Sequence, residues 1–293
     1  MLRPSRPLGL LLAAAALAPI DLVAAPVRAQ SIDGPGPTAL LPAVQAPDRG
    51  DTGAAIDPLT GPRSRLGRDW VGQASVPADT PILVMAGHAD SQKISGAGTS
   101  GAAVALRGAR PMEPGITDEL YWNMVIASAV VQLGQQRGLN IRFYLPPSRT
   151  IVDANQSDTN WSVGRDHAAA GGYAMEIHFD AYGPDGIGSG LIPPLHRPFT
   201  SIDESLARAF GGYPWRFRDV LGGPRRGIAL LEIGKLEGTL EASLRNPSSR
   251  DQAVQTIAER VVGALEQGLG RSGSGPSQAS SPLQGESSRT ALR

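Results

Sequence analysis

Four side chains have the types and surroundings to do metal-assisted chemistry: His88, Glu119, His178 and Glu232. His88 follows an apolar run of strand length, Ile82–Met85, which Ala86-Gly87 releases. A buried strand ending in Gly-His delivers an imidazole to the rim of a sheet, where ligands bind in open α/β sheets. His178 closes the apolar stretch Tyr173–Phe179. Glu232 sits in Gly227–Ile233, GIALLEI, where a charge is costly without a partner or a task. Two neutral imidazoles and a carboxylate form a catalytic zinc set with a fourth position left for water. A further, unliganded carboxylate can take a proton from that water and return it to a leaving nitrogen. Plainer readings stand beside these: Glu119 as a helix-start acid complementing the macrodipole, and His178 as a core histidine hydrogen-bonded to Glu176.

The elements that must position these groups are legible as periodic runs. Thr117-Asp118-Glu119 opens a helix in which Leu120, Met124, Ala127, Val131 and Gly134 recur at three- and four-residue spacing, ending at Arg137-Gly138. Strands are expected at Asn140–Leu145, Tyr173–Phe179 and Gly227–Ile233, and helices at Val163–Ala170, Ile202–Phe210 and Asp251–Leu269. In the second of those strands Glu176, His178 and Asp180 fall on one face. Ser91–Gly115 reads as a glycine-rich loop over the site, Gln156–Trp161 as loop, and Gly183–Pro198 as turn-rich. Strands alternating with helices imply a single layered α/β domain, its sheet mostly parallel or mixed, with helices on both faces.

The chain has 293 residues, 27 basic and 27 acidic side chains and no cysteine. A balanced charge gives no footprint for nucleic acid, and any zinc must be held by His and carboxylates. Residues 1–29 read as a secretory signal peptide: Arg3 and Arg6, an apolar run Leu8–Leu17, and small residues at Val27-Arg28-Ala29. The run is too short to span a bilayer comfortably, so no stable membrane insertion is expected after cleavage, and the product is exported to periplasm or cell envelope. Residues 30–78 and 271–293 read as disordered linker and tail, leaving 79–270 as the folded domain. His167 and His196 are assigned to the surface, Trp122 and Trp215 to core or groove wall, and Arg225-Arg226 to solvent, with a substrate carboxylate as the other reading for the arginine pair.

The motifs also come in a telling order. Gly87-His88 ends the first strand; Glu119 opens a helix with Asn123 four residues on; Arg165 leads to Ile177-His178; Glu232-Ile233-Gly234 and Ile257-Ala258 follow. Over about residues 80–270 this order resembles the zinc-dependent N-acetylmuramoyl-L-alanine amidases, which cleave peptidoglycan. The resemblance implies zinc as cofactor, His88, Glu119 and His178 as its ligands, Glu232 as the catalytic carboxylate and peptidoglycan as partner. Departures are Ala89-Asp90 for Gly-Gly, Asp180 for Asn, Glu176 for Ser, Lys235 and Gly238 after the last Glu, and a missing Ala-Asn pair after Arg165. Asp90 and Asp180 would be extra acids able to alter the substrate or compete for zinc. The other readings of the same residues are a zinc peptidase or amidohydrolase acting on another amide, and a non-catalytic metal- or wall-binding protein.

Overall fold

The computed structural model describes residues 56–64, 71–153 and 156–271, so the expected signal segment and nearly all of the expected tail lie outside the described residues. Five strands form one mixed sheet: β1 (Ile82–Ala86), β2 (Ile141–Tyr144), β3 (Tyr173–Asp180), β4 (Gly190–Ile192) and β5 (Ile228–Lys235), in the order β2-β1-β3-β5-β4. The first four in that order run parallel, and β4 pairs with β5 antiparallel. The helices are α1 (Gly101–Arg107), α2 (Asp118–Gln136), α3 (Asn160–Ala169), α4 (Ser201–Phe210), α5 (Arg216–Val220), α6 (Gly238–Arg245) and α7 (Pro247–Gly268).

Side-chain alternation divides the core in two. Ile82, Val84, Met175, Ile177, Leu231 and Ile233 pack beneath α2, α4 and α7, where Trp122, Phe210 and Ile257 are fully buried. Leu83, Met85, Ala174, Ile228 and Leu230 pack on the opposite face against Trp161 and Val163 of α3 and Phe217 of α5. Burial on both faces is why the strands read as near-continuous apolar runs. Connections from β1 lead to β2 on one side, and β3 lies on the other, so the sheet reverses its winding between β1 and β3. That is where an open α/β sheet leaves a crevice at its carboxyl edge.

The folded domain begins earlier than residue 79. Asp57 pairs with Arg260 at 2.9 Å, Ser64 donates its amide to Ser189 at 2.9 Å, and Gly72 donates to Glu204 at 2.6 Å. Bridges from Arg63 to Ser189 and Ser64 to Gly211 seat one piece at the start of β4 and the segment that pairs with its outer edge, and a bridge from Ala74 to Thr200 seats the other at the start of α4. The expected linker 30–78 is therefore corrected for its described parts, which are held by backbone hydrogen bonds that low apolar content does not reveal.

Three further elements depart from expectation. α3 starts at Asn160 because Thr159 accepts the Ser162 amide as its cap, where a loop to Trp161 was expected. α1 lies within the stretch expected as loop, and Gly190–Ile192 is an edge strand within the expected turns. Among the described residues no helix is long and apolar enough to cross a membrane.

Candidate active site

The carboxyl edge of the sheet gathers the four groups from three strands and one helix. β3 and β5 are in register with His178 opposite Glu232, so both side chains leave the sheet on the α3 face. Beyond Glu232 the pairing shifts, since Asp180 sits opposite Lys235. Gly87 follows β1 beside His178. A Cβ there would lie 2.2 Å from the imidazole, so only glycine lets the ring pack against this strand end.

His88 has φ 61°, the left-handed region that a non-glycine residue enters at a cost of roughly 1–2 kcal/mol. Its carbonyl accepts from the Gln92 side chain at 3.0 Å, and the two carbonyls before it are clamped by asparagines. Asn123 of α2 donates to Gly87 at 3.0 Å, and Asn160 of α3 donates to Ala86 at 2.7 Å. Strain over-determined in this way collects at functional sites.

Glu119 reaches the edge from the first turn of α2, whose cap Thr117 accepts the Leu120 amide. Its Oε1 lies 3.3 Å from His88 Nε2 and 3.3 Å from His178 Nδ1. Its Oε2 accepts the Thr99 amide at 2.7 Å, while its own amide donates to Thr99 at 3.1 Å, so the glycine-rich segment before α1 packs onto this ligand-type acid. Ligand-type atoms of His88, Glu119 and His178 lie within 4.8 Å of one another and can hold a metal ion. Zinc bonds of about 2.0–2.1 Å make a tetrahedron with edges of about 3.3 Å, the separation that Glu119 Oε1 keeps from each imidazole. The donors, two nitrogens and an oxygen, suit zinc as well.

The charges are tightly coupled. Burial alone would raise the Glu119 carboxyl, but the two imidazoles outweigh it and hold the group well below the usual carboxylate range. Burial opposes a charged His178, yet its hydrogen bonds to Glu119 and Glu176 raise the imidazole well above its ordinary range. Burial pushes Glu232 well above the usual carboxylate range; His178 opposes this, and the carboxyls of Asp180, Glu119 and Glu176 add to it. Glu232 Oε2 is a buried oxygen with no hydrogen-bond partner. Glu232 stands opposite His178 across the pairing of β3 and β5, so an acceptor oxygen without a partner lies next to that imidazole's strand position.

A cavity of about 250 Å³ opens beside His88 and His178, walled by Ile94, Ile151, Trp161, Leu221 and Leu230. Arg226, expected in solvent, instead stacks on Trp161 at 4.3 Å and donates to the Gly222 carbonyl at 3.1 Å, bracing two residues of this wall from behind. A larger cavity, about 370 Å³ beside Phe199, Trp215 and Arg218, has no acid or imidazole in its lining.

The two acids expected to compete for a metal are spent elsewhere. Asp90 accepts the Asn160 amide at 2.8 Å, fixing the start of α3. Asp180 accepts the amides of Ala181, Ile187 and Gly188 at 2.6–2.8 Å and the Tyr213 hydroxyl at 2.6 Å. Trp122 is core, Trp215 is half-exposed, and His196 is exposed. His167, expected at the surface, is half-buried against the Pro81 carbonyl at 3.0 Å. Sequence reasoning missed Asn160, whose signal was the Thr-Asn pair that starts α3.

No protein-family model matches the chain, and no curated protein does. Solved structures similar to it include the catalytic domain of CwlV, an N-acetylmuramoyl-L-alanine amidase from Bacillus (Paenibacillus) polymyxa var. colistinus, at 14% identity and TM-score 0.43, covering 66% of this chain and 99% of that one. The N-acetylmuramyl-L-alanine amidase of Mycobacterium abscessus is similar at 18% identity and TM-score 0.39, over 63% of this chain and 98% of that one. The N-acetylmuramoyl-L-alanine amidase of Clostridium difficile 630 is similar at 11% identity and TM-score 0.40, over 67% and 100%.

Proposed function

We propose that this chain is an exported zinc hydrolase that cleaves the amide between N-acetylmuramic acid and L-alanine in peptidoglycan. One observation carries the reading: Glu119 Oε1 at 3.3 Å from both imidazoles, with Glu232, whose buried Oε2 has no hydrogen-bond partner, opposite His178 on the next strand. The order of motifs in the sequence supplies the substrate, and the signal-like residues 1–29 supply the export.

His88, Glu119 and His178 would hold the zinc. When bound, zinc polarises a scissile carbonyl and acidifies a water at neutral pH. The chain's own residues do the rest. Glu232 takes a proton from the attacking water and returns it to the departing amine. Burial raises its carboxyl and His178 opposes that rise, so the proton is held at a group that faces an imidazole rather than bulk water. Ile94, Ile151, Trp161, Leu221 and Leu230 give the cavity beside His88 and His178 apolar walls against which a substrate can pack.

The test is metal analysis of the purified chain. About one zinc per chain is expected, lost in His88→Ala and in His178→Ala. Full occupancy in both variants would contradict the ligand assignment.

A further inference from the structure

We propose that Glu176 is a positioning residue: by accepting the Nε2–H of His178 it leaves Nδ1 free to face the metal. The inference rests on the zinc reading above and concerns a residue to which that reading gives no part.

Glu176 and His178 lie two apart on β3 and so share a face. Glu176 Oε2 is 3.3 Å from Nε2, and Glu119 Oε1 is 3.3 Å from Nδ1, so each ring nitrogen meets a different carboxylate. The two acids are not equivalent. Glu119 Oε1 is also 3.3 Å from His88 Nε2, which puts the point shared by the three ligands on the Nδ1 side of the ring. A ligating histidine uses one nitrogen and donates the other N–H, commonly to a carboxylate that fixes ring orientation and tautomer. Glu176 stands at that second nitrogen.

The hydrogen bonds of Glu176 separate this role from a structural one. Several other acids serve backbone amides: Asp180 accepts three and a hydroxyl, Asp90 accepts the Asn160 amide, and Glu241 accepts the Ala103 amide at 2.8 Å. Glu176 is 5% exposed, and among the described residues its carboxylate has the single partner His178. A buried carboxylate that supports no loop and caps no helix is costly unless it acts on the group it touches. Here that group is a proposed ligand.

The test uses the full chain, stripped of metal with a chelator. Zinc affinity is measured by chelator competition for wild type, Glu176→Ala and Glu176→Gln, alongside the cobalt(II) absorption spectrum of each. Glu176→Ala should bind zinc ten- to a hundredfold more weakly. Glu176→Gln, whose amide oxygen still accepts an N–H, should recover most of that loss, and cobalt should report one ligand set in all three. Wild-type affinity in Glu176→Ala, equal weakness in both variants, or a cobalt spectrum showing a lost ligand would each overturn the role. Should Glu176→Ala fail to fold, imidazole 15N shifts of zinc-loaded wild type decide: metal on Nδ1 with a proton on Nε2 is expected, and metal on Nε2 overturns the inference. A wild type that takes up no zinc overturns the zinc reading itself; normal wild-type uptake with any contrary result above overturns only the part given to Glu176.

Discussion

Replacing Gly87 by alanine is a perturbation of one methyl group aimed at one ring. Gly87 is not in the left-handed region, so alanine can adopt its backbone conformation without strain. Its Cβ, however, would lie 2.2 Å from His178 Cε1, 2.3 Å from Nε2 and 2.5 Å from Nδ1. Ordinary carbon contacts start near 3.5 Å, so the ring must retreat by about 1 Å or the strand end must shift. Either movement stretches the 3.3 Å contacts to Glu119 and Glu176 beyond hydrogen-bonding range. Overpacking of this kind costs about 1–3 kcal/mol of folding stability. The loss at a metal site is steeper, because ligand distances tolerate only about 0.2 Å. A hundredfold loss in zinc affinity corresponds to about 2.7 kcal/mol, which the displacement of one of three ligands should exceed. Chelator competition measures the affinity, and thermal unfolding of the metal-free protein measures the stability. Zinc affinity within about threefold of wild type, with an unchanged melting temperature, would refute the placement of His178 against β1.

Two further variants separate metal ligands from structural acids. Asp180→Asn leaves one acceptor oxygen for four donors and turns an NH2 donor toward the Ala181 amide or toward Ile187, Gly188 and Tyr213, so the melting temperature should fall by several degrees while zinc content stays unchanged. Zinc loss at an unchanged melting temperature would make Asp180 a ligand. Glu241→Ala strands the buried Ala103 amide and frees the exposed Arg107 side chain, costing about 1–3 kcal/mol, or roughly 2–10 °C in a domain of this size; an unshifted circular-dichroism melt would contradict the anchoring of α1 by α6.

The parts of this fold that announce themselves in sequence are those whose burial is two-sided or whose caps are local. β1, β3 and β5 read as apolar runs because helices cover both sheet faces, and α2 shows its Thr117 cap and its periodic face. β4 is three residues long at an edge, too short for any period to register. α1 is held by Glu241, 138 residues away from Ala103, a contact no local pattern reveals. The four site residues were legible as types at strand ends and a helix start. Their roles were not, because Asp90, Glu176 and Asp180 look alike in sequence. Only their partners distinguish a helix cap, a carboxylate on an imidazole and a loop anchor.

In the proposed mechanism Glu232 carries the proton during amide hydrolysis by the zinc-loaded chain. The direct measurement is mass spectrometry of defined muropeptides after incubation with zinc-loaded wild type and with zinc-loaded Glu232→Gln. Wild type should release peptide with a free L-alanine amino terminus, and the variant should retain its zinc while releasing it about a hundredfold or more slowly. Intact muropeptides after incubation with zinc-loaded wild type, or equal release by the variant, would contradict it.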